Sequence, residues 1–357
     1  SVFMALKIDH QLTPAALERR IAAMFELSAA KIRSIEKSWN AEQGTPVFTV
    51  DWQYTSRGWT EWTQGFQFGA AFLQFDATGE QEFLTLGIQK TVRYMASHVS
   101  HIGVHDHGFN NISTYGNWSR LMREGKAPFN QAENDFCELA LKVSGAIQAA
   151  RWTRTFDGRG YIYSFNGPHS LFIDTMRSLR SLAVAHQLGH VLMGERDARI
   201  SLLDRLKMHA RTTAVSAIYY GTGRDAYDIR GRTAHESIFN TNDGSYRCPN
   251  SQQGYSPFST WTRGLAWAIC GFAEQLEFLS TFDAEERHDF ENAATAAADF
   301  YIQNCCACGV PMWDTGAPNL HRLGEYQDQP ADPYNRWEPV DSSAAAIAAQ
   351  GFLRLGK

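Results

Sequence analysis

What most constrains this chain is one unit written five times: a polar turn, then a helix of small and apolar residues. The unit appears as WTQGFQFGAAFLQF from Trp62, His105-Asp106-His107-Gly108-Phe109, and Leu171-Phe172-Ile173-Asp174-Thr175-Met176. It returns as STWTRGLAWAICGF from Ser259 and DSSAAAIAAQGFLRL from Asp341. A helix that is apolar on every side belongs inside protein. Between the units, amphipathic helices are predicted over 14–38, 80–99, 130–151, 197–214 and 283–304. Apolar helices alternating with amphipathic ones predict an all-α fold, a barrel with an inner and an outer ring. No Pro/Gly/Ser-rich linker or composition shift divides residues 1–357, so a single domain is expected.

The first helix is the best marked. Thr13 can cap it, Pro14 suits its first turn, and Leu17, Ile21, Met24, Phe25 and Ile32 form an apolar face. In the second, Phe83, Leu84, Leu86, Ile88, Val92 and Met95 do the same. Strand-like stretches are short, at 160–165 and 216–220. The five units start near residues 62, 106, 174, 260 and 341. Most of the gaps exceed the roughly 35–45 residues that a helical hairpin needs, so they contain loops. The longest, 221–258, is rich in Gly, Asn, Asp, Arg and Tyr and is where a site is expected.

Charge and composition exclude several classes. A net charge of −5 argues against nucleic acid or an anionic membrane as partner. No apolar run reaches the roughly 18 residues of a membrane span. The start, SVFMALKIDHQL, lacks the features of a signal peptide. The six cysteines include Cys305, Cys306 and Cys308, whose spacing does not suit a zinc site. They read as unpaired buried thiols near a helix end. A cytoplasmic place is therefore favoured, with the periplasm open to a chain whose leader has been removed. Neither metal nor cofactor is expected, and His186, His190 and His209 read as structural.

Two carboxylates at converging helix starts are what acid/base chemistry on a sugar needs. Asp106 and Asp174 have this placement. The alternative is that Asp174 caps its helix and Asp106 shapes a turn. Arg263, early in an apolar helix, needs an anion: a protein carboxylate or a bound substrate. Trp62, Trp261 and Trp267 can pack the core or present a flat face to a sugar. Asp341 reads first as a helix cap, and Trp313-Asp314 as a pocket wall or the support of a turn.

Taken in order, these segments resemble the unsaturated glucuronyl hydrolases of glycoside hydrolase family 88. The resemblance runs from about Trp62 to Leu355, and the helix at 14–38 fits the family's first. STWTRGLAWAICGF, DSSAAAIAAQGFLRL, His105-Asp106-His107-Gly108-Phe109 and Ile173-Asp174 carry it. It implies an (α/α)6 barrel and a substrate with a 4,5-unsaturated uronic acid at the non-reducing end of an oligosaccharide. By resemblance Asp174 matches the general acid/base and Asp106 a second essential aspartate. His235, in Thr233-Ala234-His235-Glu236, matches a substrate-site histidine, and Gln253 falls in the family's substrate turn. Apolar neighbours of Asp174, or the charge of Asp106, would serve to keep Asp174 protonated.

The family's pattern is departed from in two places. WTQGFQF puts Gln64 and Gln67 where relatives have an acid and an aromatic, and Gln252 stands where some have histidine. Both changes bear on substrate identity. The sequence given stops at Lys357, after the fifth unit, so a sixth hairpin is expected to be absent or replaced. An open ring would expose apolar flanks and favour a homo-oligomer. The nearest alternative is the related unsaturated rhamnogalacturonyl hydrolase of family 105. A sugar epimerase or isomerase, or a non-catalytic sugar-binding protein on the same barrel, are alternatives of other classes.

Overall fold

The computed structural model describes residues 6–58, 61–279 and 284–357. Helices in the first half are α1 (Pro14–Ser38), α2 (Gln64–Thr78), α3 (Gln81–Tyr94), α4 (Ala96–Val99), α5 (His107–Asn111), α6 (Asn117–Arg123) and α7 (Gln131–Ala150). Those that follow are α8 (Thr175–Ser178), α9 (Arg180–Gln187), α10 (Leu202–Ser216), α11 (Thr262–Phe278), α12 (Ala284–Asn304) and α13 (Ser342–Leu355). The strands are short: β1 (Phe48–Val50), β2 (Gln53–Thr55), β3 (Trp152–Arg154), β4 (Gly160–Ile162) and β5 (Ser170–Phe172). After them come β6 (Leu192–Met193), β7 (Arg199–Ile200), β8 (Glu236–Phe239) and β9 (Tyr246–Asn250). All five repeated units form helices, and no helix among the described residues is long and apolar enough to cross a membrane.

The chain divides into two compact units. One comprises residues 9–148 and 181–202. Its core is aromatic: Phe68, Phe72 and Phe75 of α2 meet Phe83 and Leu84 of α3, with Tyr115, Trp118 and Leu121 from the α5–α6 segment. Thr13 caps α1 as expected, accepting from the Ala16 N–H at 3.2 Å. The apolar face of α1 is narrower than expected. Ile21 and Met24 are exposed, as is Val92 of α3, and Ala29 is the buried residue of α1. The expected helix over 80–99 breaks at Met95 into α3 and α4. Between α5 and α6, residues 112–116 form a π-helical turn, a wider coil often found near functional sites.

Residues 1–8, 149–180 and 203–357 make the other unit. Here β5, β8 and β9 form a three-stranded antiparallel sheet, with Phe172 opposite Glu236 and Glu236 opposite Asn250. The strand expected over 160–165 is present in part as β4, whereas 216–220 contributes only a single bridge, Ile218 to Thr233. Helix α10 starts at Leu202 rather than Asp197, because Arg196 and Asp197 take positive φ and turn the β6–β7 hairpin. The Asp283 start expected for α12 lies outside the described residues. Helix α11 is buried along nearly its whole length, as its composition demands. It meets α8 at Gly271, where an added Cβ would lie 2.7 Å from the backbone of Met176. All six cysteines are free thiols; Cys305 and Cys306 are buried, whereas Cys248 and Cys308 are exposed.

Candidate active site

Asp106 belongs to the compact unit of residues 9–148 and 181–202, and Asp174 to the other. Asp174 lies in the short turn that joins β5 to α8. The Ile173 N–H donates to the His235 carbonyl at 2.9 Å, extending the β5–β8 pairing by one step. That step puts Asp174, just past the end of β5, beside His235, just before the start of β8. His235 Nε2 lies 3.9 Å from Asp174 Oδ1, and both side chains are largely buried. Asp174 occupies the N-cap position of α8, yet its side chain makes no capping bond to that helix. Asp341, in contrast, does cap: the Ala344 N–H donates to its Oδ1 at 2.8 Å.

The walls around this pair are aromatic. The His235 ring packs between Phe172 at 4.5 Å and Trp261 at 4.7 Å, centroid to centroid. Trp261 starts α11 and its ring folds over Gly264, where a Cβ would meet the indole at 2.6 Å. Only glycine leaves room there. The Arg263 guanidinium stacks 4.9 Å from the Trp261 ring. It donates to Gln253 Oε1 at 3.2 Å and stands 4.0 Å from Asp341 Oδ2. Asp341 thus stands near Arg263 as one of the two anionic partners that the sequence allowed, at a distance too long for a bidentate pair. The structure links Asp174, His235, Trp261, Arg263 and Gln253 through successive pairwise contacts. Trp267 lies further along α11 and is buried.

Asp106 starts α5 in the same manner as Asp174 starts α8. Its backbone carbonyl accepts from Phe109 and Asn110, and its side chain makes no capping bond. His105 Nε2 lies 3.5 Å from Asp106 Oδ1. A buried polar chain braces the turn: Gln148 Nε2 donates to the His105 carbonyl, and His107 bonds Ser144 and the His101 carbonyl. Trp62 stands among aromatic rings, 5.6 Å from Phe109 and 5.7 Å from Phe66. Gln64 is buried and accepts from His98 Nε2 at 2.6 Å. Gln67 faces a largely apolar cavity of about 330 Å³ beside Ile32, Ile35, Val47 and Phe66. Burial holds His98 neutral, pushing its imidazole down to about 4, with the nearby His101 adding to the effect.

Glu236 carries no sign in the sequence, whereas Asp314 takes the second of its two expected roles. Asp314 is fully buried, and its carboxylate accepts from the Tyr255 and Gly316 N–H groups, so it supports a turn. Glu236 is buried among polar side chains of three segments. A glutamate inside a four-residue strand leaves no periodic trace.

No family model matches the chain. An unsaturated glucuronyl hydrolase of Formosa agariphila is 24% identical over 299 residues, covering 83% of this chain and 63% of the relative. One from Bacillus sp. strain GL1 is 25% identical over 307 residues, covering 83% and 67%. A crystal structure of an unsaturated glucuronyl hydrolase specific for heparin superposes with a TM-score of 0.71 at 20% identity. That match covers 93% of this chain and 76% of the other. The chain shares the fold of the unsaturated glucuronyl hydrolases. It spans about two thirds of the length of the curated relatives it matches. The α/α architecture read from the repeated units thus holds at the level of fold.

Proposed function

We propose that the chain is a glycoside hydrolase releasing a 4,5-unsaturated uronic acid from the non-reducing end of oligosaccharides left by polysaccharide lyases. The observation that carries this reading is Asp174: a buried carboxyl at a helix start, not used as a cap, beside His235 and under aromatic walls. Similarity to unsaturated glucuronyl hydrolases in sequence and fold supports it.

The substrate's chemistry dictates the rest. Its carbon 4–carbon 5 double bond is an enol ether conjugated to the carboxylate. Asp174 gives its proton to carbon 4, and positive charge develops on carbon 5 and the ring oxygen. Water adds at carbon 5 and yields its proton to the Asp174 carboxylate, which restores the acid. The hemiketal then opens to a ketone, and the hemiacetal left at carbon 1 expels the sugar, so one water is consumed. His235 donates to the reacting end, and Arg263 meets the uronate with the planar donors of its guanidinium. Asp106 is the second essential carboxylate by resemblance. Trp62, Trp261, Trp267 and Gln253 supply sugar contacts, and the scheme needs neither metal nor cofactor.

Incubation with a panel of unsaturated disaccharides, following loss of the conjugated double bond's ultraviolet absorbance, tests the proposal. Loss of absorbance with release of the second sugar is expected for at least one linkage. No turnover of any member by the folded protein would overturn it.

A further inference from the structure

Glu236 is an unusual group to bury. It is 1% exposed, and the hydrogen-bond donors that meet it are neutral: Asn166, Ser170 and Asn250. A carboxylate out of water and bonded only to neutral groups is retained at a cost. What those donors hold in place gives the reason. Asn166 Nδ2 bonds Glu236 Oε1 at 3.0 Å and Gln252 Oε1 at 3.1 Å, while Asn250 Nδ2 bonds Glu236 Oε2 at 2.7 Å. Asn250 is thus tied to the carboxylate directly, and Gln252 through Asn166. Asp314 fastens the far side of the same turn through the Tyr255 N–H.

Held this way, the turn aims two successive N–H groups at one atom. Gln252 N and Gln253 N both donate to His235 Nδ1, at 3.0 and 3.2 Å. Backbone N–H groups can only donate, so Nδ1 must be the acceptor nitrogen and the ring proton must sit on Nε2. Nε2 is the nitrogen on the Asp174 side. We infer that Glu236 is a positioning residue for His235: by anchoring the 250–253 turn it fixes His235 as the Nε2–H tautomer.

The tautomer is a structural claim, whereas its effect on turnover rests on the proposed function. The test therefore reads both. Two variants are compared with wild type: Glu236→Met, and the double variant Asn166→Ala/Asn250→Ala at exposed positions. Long-range proton–nitrogen NMR spectra of histidine-labelled protein, with His235→Asn to assign the signal, report the tautomer. Wild type is expected to show Nε2–H alone, and each folded variant a mixture. On an unsaturated disaccharide kcat should fall about 10–100-fold, as when the partner that orients a functional imidazole is lost, with KM little changed. Should Glu236→Met fail to fold, the double variant decides. Folded variants that keep a pure Nε2–H signal, or a wild-type Nδ1–H signal, would overturn the inference. A wild type without turnover defeats the proposed function alone, since the tautomer comparison still stands.

Discussion

An aspartate at a helix start is structural when its oxygens take the first N–H groups, and Asp341 does so. Removing that bond in Asp341→Ala should cost about 1 kcal/mol, read from denaturant unfolding. Asp174 occupies the equivalent position without making the bond. Asp174→Asn should therefore leave the unfolding midpoint nearly unchanged while lowering turnover by at least about 10²–10⁴-fold, the range of general acid/base catalysis. Near-wild-type turnover would remove Asp174 from the chemistry. Arg263→Lys makes a second division. Lysine keeps the charge but loses the flat guanidinium stacked on Trp261 and bonded to Gln253. Weaker binding of unsaturated uronides with an unchanged melting temperature is expected. A large loss of stability at constant KM would assign Arg263 to Asp341 instead. Arg263 was legible because a cation in an apolar helix breaks the expected pattern, and the two aspartates because each opens a helix, where a cap was the alternative. Glu236 and Asn166 were not, since their meaning comes from partners distant in the chain.

Elements differ in how plainly the sequence announces them. Helix α1 carries a cap, a proline and a period, and its ends agree with expectation to the residue. Strands β5 and β8 span three and four residues, too short for an alternating pattern. Yet Asp174 and His235 adjoin these two strands, so the site's scaffold was the least legible element. The π-helical turn after α5 likewise has no sequence sign, because one extra residue in a coil leaves composition unchanged. The α8–α11 contact offers a test at this scale. Gly271→Ala would press a methyl against the backbone of Met176, forcing α8 and α11 apart. Overpacking of this kind costs about 1–3 kcal/mol, and because α8 begins directly after Asp174, turnover should fall with stability. Full activity at lowered stability would show that the start of α8 is not a constraint on the acid.

At the scale of the whole molecule, acid stability has an identifiable contributor. His98 is buried and its imidazole lies near 4, below the ordinary 6.5. The unfolded chain then takes up a proton that the folded one refuses. Stability is intact above about pH 6.5 and is lost as pH falls towards 4, by about 2 kcal/mol between pH 7 and pH 5. His98→Leu should lose less over that interval in urea unfolding, and an equal loss would acquit His98. The α/α architecture was legible from the five repeated units, because an all-round apolar helix is one buried in its surroundings. The proposed chemistry rests on resemblance, since nothing in composition distinguishes hydration of a double bond from direct displacement. The most direct measurement compares a 4,5-unsaturated uronyl disaccharide with its saturated counterpart of the same linkage. The account predicts that the unsaturated sugar is cleaved with loss of ultraviolet absorbance, and that the saturated one binds as an inhibitor and stays whole. Cleavage of the saturated disaccharide at a comparable rate would contradict it.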